Sequence, residues 1–94
     1  MSEEWQVVHD ERARRFEVAL TDGSAELDYY RQGDRMTITH TGVPRAWEGQ
    51  GIAASMTRAA LEYARKQGLS VVPLCSYAAA YIRRHPEYRS LQAG

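Results

Sequence analysis

The stretch Glu48-Gly49-Gln50-Gly51-Ile52-Ala53 sets two glycines at the start of a helix-like run. Glycine leaves the backbone bare, so several N–H groups can converge on one anion, and the positive end of a helix macrodipole favours negative charge at the same point. A strand-like run, Arg35 to Val43, precedes the stretch, and a helix-like run from Gly51 to Gln67 follows it. Strand, glycine loop and helix together make what a phosphate-binding turn needs. The same residues also suit an ordinary tight turn with a glycine cap. Two other side chains can carry chemistry. Cys75 stands just before a second helix-like run, whose positive end would raise thiol reactivity; a lone buried cysteine otherwise acts as a small hydrophobe. His40 lies on the run before the loop, and imidazole exchanges protons near neutral pH. Its alternative is a structural histidine with one hydrogen-bond partner.

The elements around these residues follow from composition and periodicity. A chain of 94 residues, 44% hydrophobic and 26% charged, suits one globular domain over 1–94. A core this small favours a monomer or a weak homodimer. No apolar run reaches bilayer length, so no membrane contact is expected. The segment Met1-Ser2-Glu3-Glu4 has no apolar signal core, which predicts a cytoplasmic protein. One cysteine excludes an internal disulfide and a multi-cysteine zinc site, and no metal is expected. Zero net charge and the lack of an aromatic-basic ladder argue against nucleic acid. The charge is uneven: six Arg against ten acids give −4 over residues 1–48, and six Lys plus Arg against two acids give +4 over residues 49–94. The half with the glycine loop is the one an anion would prefer.

Trp5–Val8 reads as a short first strand and His9–Arg14 as a charged turn. Arg15–Leu20 alternates, with Phe16, Val18 and Leu20 on one face. Asp22-Gly23 signals a hairpin through the positive φ that glycine supplies. Ala25–Arg31 is a third strand and Gln32-Gly33-Asp34 the next turn. On the fourth strand, Met36, Ile38 and His40 share one face and Thr37, Thr39 and Thr41 the other. From Ile52 the period becomes 3.6, with Ile52, Met56, Ala59, Ala60, Tyr63 and Ala64 as the apolar stripe, and Gly68 stops the helix. Leu69–Leu74 suits a buried fifth strand, parallel to the fourth through a right-handed crossover. Ser76 can cap a last helix over Tyr77–Arg84, ended by His85-Pro86. The fold class is α+β: an antiparallel four-strand meander, a helix, a parallel fifth strand and a C-terminal helix.

That order resembles the acetyl-CoA-binding core of the GCN5-related N-acetyltransferase superfamily. The family's loop pattern appears as Glu48-x-x-Gly51-x-Ala53, with Glu48 where the family has Gln or Arg. The chain is more closely similar to the small stand-alone, N-acetyltransferase-domain-1-like subgroup (YidJ-type). The segments that carry this likeness are Asp28-Tyr29-Tyr30, His40-Thr41-x-Val43-Pro44, Gly49-Gln50-Gly51-Ile52-Ala53, Val72-Pro73-Leu74-Cys75 and Tyr81-Ile82-Arg83-Arg84-His85-Pro86-Glu87-Tyr88.

The resemblance implies an acetyl-CoA-dependent N-acetyltransferase. The pyrophosphate would sit on the N–H groups of Gly49, Gln50, Gly51, Ile52 and Ala53. Pantetheine would run along main-chain groups of Thr41, Gly42 and Val43, where strands four and five splay apart near a bulge; Gly42 and Pro44 supply a local reason for that bulge. The thioester would end near Cys75, with a carbonyl-holding N–H near Val43. Many subgroup members carry a glutamate at the position of Gly42, and this chain does not. Cys75, as an acyl carrier, and His40, as a base, are then the catalytic candidates. Tyr77 and Tyr81 are candidates for the acid on the last helix, and Arg84 for a contact to the CoA phosphates. The acceptor would be a small-molecule, protein or peptide amine. The competing expectation is a CoA or acyl-CoA binding module with little or no transferase activity.

Overall fold

Three short turns fold the first half of the chain into a meander. The computed structural model describes residues 5–93; Met1–Glu4, which carries the leader argument, lies outside them. Strands β1 (Val8–Asp10), β2 (Arg15–Leu20), β3 (Gly23–Gln32) and β4 (Arg35–Gly42) pair antiparallel in sequence order. A 3₁₀ turn (Arg45–Trp47) leads to helix α1 (Ile52–Gln67), which crosses to β5 (Ser70–Pro73), parallel to β4. Helix α2 (Ser76–Arg84) and a second 3₁₀ turn (Pro86–Leu91) complete the chain. The sheet order is β1-β2-β3-β4-β5. This is the expected mixed α+β topology.

One face of the sheet is apolar and covered by α1, α2 and the second 3₁₀ turn. Phe16, Val18, Ala25, Leu27, Tyr29, Met36, Ile38 and Val71 are buried there with Ile52, Met56, Leu61 and Ala64 of α1, Ala78 and Ile82 of α2, and Tyr88. The other face carries the alternate residues of the same strands. Arg15, Glu17, Glu26, Asp28 and His40 stand on it, and none of them is buried.

Local details depart from the sequence reading. The first strand forms at Val8–Asp10 and not at Trp5–Val8; His9 packs flat on Phe16 with centroids 4.0 Å apart, and its Nε2 lies within hydrogen-bond distance of Tyr29 Oη at 2.6 Å. The β2–β3 hairpin uses Thr21-Asp22, and Gly23 pairs with Leu20 without a positive φ. Ser76 is the first helical residue and Cys75 takes the N-cap position, with no side-chain cap bond.

The largest departure is on β4. Asp28 pairs with His40 and Tyr29 with Ile38, so Thr39 is an extra, bulged residue. A bulge reverses the side-chain alternation beyond it. Thr41 therefore joins Ile38 on the helical face, opposite buried Leu27, and His40 turns to the open face beside Asp28. The expected sharing of one face by Ile38 and His40 does not hold. The splay from β5 also begins earlier than Gly42. The parallel ladder ends at Ile38 and Pro73, next to the bulge at Thr39. Leu74 and Cys75 then both donate their N–H to Ile38 O, at 3.0 and 3.1 Å.

Candidate functional site

Beyond Ile38 the β5-facing edge of β4 has no ladder partner, and the chain opens into a groove. Thr41 and Val43 form one wall, Glu48, Gly49, Gly51 and Ile52–Ala54 another, and Tyr77 of α2 the third. Its volume is about 330 Å³, within the range of small-molecule sites.

The floor at the helix start is built from backbone. Gly49 has φ +82° and Gly51 +85°, conformations that disfavour any L side chain. A Cβ at either position would meet nothing within 4 Å, so the glycines serve conformation and not space. Gly51 caps α1 without a side-chain bond, and the first turn holds no acidic residue. The N–H groups there lack helical partners and keep the positive end of a 16-residue helix uncompensated.

Two tryptophans brace this loop. Trp5 Nε1 donates to Gln50 O at 2.9 Å, and Trp47 Nε1 donates to Asp22 Oδ1 at 3.0 Å. Their rings meet edge to face, 6.2 Å between centroids. Neither role was visible in the sequence, because each depends on a contact more than twenty residues away.

Cys75 lies at the narrow end of the splay. Its thiol donates to Thr41 Oγ1 at 3.3 Å, across the gap between the strands. Tyr77 lines the groove, half exposed; burial raises its phenol above the usual range, and nearby Arg84 opposes that rise. Tyr81, one turn later, packs into the core and stacks on His85 at 3.9 Å. Burial raises its phenol too. Tyr77 thus lines the groove, with Arg84 close enough to act on its phenol, while Tyr81 belongs to the core.

His40 and Cys75 are not brought together. The bulge sends His40 to the open face, where its Nε2 lies 3.0 Å from Glu26 Oε2. Glu26 comes from β3, opposite Gly42. Sequence reasoning missed it because an unbulged hairpin, counted back from the Gln32–Arg35 pair, sets Glu26 against Thr41 and His40 against Leu27.

The comparisons with known proteins agree with this geometry. A family model described as GCN5-related N-acetyl-transferase matches residues 15–91. Protein NATD1 of Gallus gallus is 36% identical over 84 residues, covering 86% of this chain and 76% of its own length. Protein NATD1 of Homo sapiens is 36% identical over 83 residues, covering 85% and 74%. The solution structure of a GCN5-like protein from Staphylococcus aureus superposes with a TM-score of 0.74 at 24% identity, over 98% of this chain and 91% of that one, a likeness of fold. The family match spans the bulged strand, the glycine loop, the crossover helix and β5, and the chain belongs to the GCN5-related N-acetyltransferase family.

Proposed function

We propose that this protein transfers an acetyl group from acetyl-CoA to an amine. The observation that carries the reading is the convergence of an unpaired β4 edge, a groove of about 330 Å³ and a bare helix N-terminus in one continuous channel. The residues present fit the donor. The pyrophosphate takes the N–H groups of Gly49 to Ala53, with Arg84 near Tyr77 as a supporting charge. The pantetheine amides take main-chain groups of Thr41, Gly42 and Val43 in place of a strand. The thioester then lies at the level of Thr41 and Cys75.

Direct transfer fits the site better than an acyl-cysteine relay. The open face beside the bulge gives an amine access to β4, whereas the Cys75 thiol is engaged by Thr41. Thiol release from acetyl-CoA with a panel of amines, paired with CoA titration calorimetry, tests the reading. Turnover is the expected result. Tight CoA binding without turnover against any amine would leave a CoA-binding module. Intact mass after incubation with acetyl-CoA separates the routes: an adduct missing from Cys75→Ala and discharged by an amine would establish the relay.

A further inference from the structure

We propose that Glu26 and His40 form a carboxylate–imidazole pair in which His40 is the general base for the acceptor amine and Glu26 is its positioning residue. This rests on the transferase reading above and names the proton acceptor that it lacks.

Three observations on the open sheet face carry it. First, His40 Nε2 and Glu26 Oε2 are 3.0 Å apart, with the His40 side chain 53% exposed and Glu26 27%. A carboxylate only accepts, so Nε2 carries the hydrogen and Nδ1 keeps its lone pair for a proton.

Second, the pairing is selective. Asp28 lies directly opposite His40 on β3, yet its carboxylate is held by Arg15 through Nε at 2.6 Å and Nη2 at 3.2 Å. Glu17, opposite Glu26 on β2, lies 3.7 Å from the same guanidinium. Arg15 thus holds Asp28, while Glu26, which also lies in the field of Arg15, makes its hydrogen bond with His40.

Third, the pair fills the space that a side chain at residue 42 would need. A Cβ on Gly42 would stand 2.5 Å from Glu26 Oε2 and 2.8 Å from His40 Nε2, closer than real Cβ contacts allow. The backbone of Gly42 does not require glycine, since its φ is not positive. Glycine at 42 lets both side-chain tips sit there without shifting. A carboxylate delivered from β3 thus occupies the position from which a residue on β4 would reach the same point.

The step balances as follows. The acceptor ammonium gives one proton to His40 Nδ1. The freed nitrogen lone pair forms the N–C bond at the thioester carbonyl, the C–S bond breaks, and sulfur takes that electron pair. The second nitrogen proton neutralises the thiolate, and His40 returns its proton to solvent. The products are amide, free thiol and one proton.

The test measures kcat and KM for an amine that the wild type acetylates, with CoA affinity as a separate readout. His40→Ala is expected to lose about 100-fold or more, and added imidazole restores part of the rate through the open face. Glu26→Gln lowers kcat by a smaller factor and leaves KM for the amine within about twofold, as for a group that orients the base. In a His40→Ala background Glu26→Gln costs nothing further, as for one broken interaction. CoA affinity of Glu26→Gln stays within about twofold, since the pair lies on the face away from the groove. An unchanged kcat in Glu26→Gln, or a loss that persists in the His40→Ala background, would overturn the pair while leaving the transferase. A wild type that releases no thiol with any amine would overturn the transferase reading and the base with it.

Discussion

Glu48 puts a carboxylate on the wall of a groove whose other features attract anions. The helix start beside it is uncapped and has no acid in its first turn. A negative charge at that wall opposes a pyrophosphate on the cradle, by the modest amount typical of exposed pairs. Glu48→Gln is therefore expected to tighten CoA binding about threefold at low ionic strength, and the gain should vanish near 1 M salt as screening shortens to a few ångströms. Titration calorimetry at two salt concentrations checks this, and an affinity unchanged or weakened at low salt would remove Glu48 from the cofactor's field. The glycine cradle was legible in the sequence because its signal is local: two glycines and a change of period from 2 to 3.6 within six residues. Glu26 was not legible, being one acid among ten in the first 48 residues. Only the bulged register distinguishes it.

At the scale of elements, the meander and the crossover were readable because alternation and helical period report burial directly. The bulge was not. Thr39 and His40 are both polar and exposed, so either register leaves the core residues Met36 and Ile38 satisfied, and hydrophobic pattern cannot choose between them. The β4–β5 ladder ends beside that bulge, at Ile38 and Pro73. The far end of α1 was legible from Gly68 alone. There the N–H of Leu69 bonds Ala64 O at 2.8 Å and that of Gly68 bonds Arg65 O at 3.3 Å, the paired bonds of a Schellman motif with Gly68 at φ +70°. Gly68→Ala forces a side chain into the left-handed region and should cost about 1 kcal/mol, about 4–8 °C in Tm for a domain of this size. CoA affinity should stay unchanged, because the cradle is at the opposite end of the same helix. A melt that does not move would mean that the helix ends differently in solution.

Across the whole molecule, two of the three groove walls involve α1 and α2, and the C-terminal turn packs against both helices. Tyr88 is buried, donates to Glu62 Oε2 of α1 at 2.6 Å, and has Arg65 over its ring at 5.1 Å. The following residues return to the sheet, where Gln92 bridges to Val71. Burial, and then the Glu62 carboxylate, push the Tyr88 phenol up to about 12. An unfolded tyrosine titrates near 10. Between these values the unfolded chain has lost the proton that the folded chain still holds, so stability falls as pH rises. The contribution of Tyr88 is complete below about pH 10 and gone above about pH 12. Tyr88→Phe removes the group that titrates. Its deficit against wild type in urea unfolding should therefore be largest near pH 9 and shrink steadily toward pH 12. A deficit independent of pH would mean that Tyr88 acts through packing alone. CoA affinity measured on the same variant at neutral pH links this clamp to the site: the variant should bind more weakly if the C-terminal turn fixes the distance between Ile52 and Tyr77, which stand on the α1 and α2 walls of the groove.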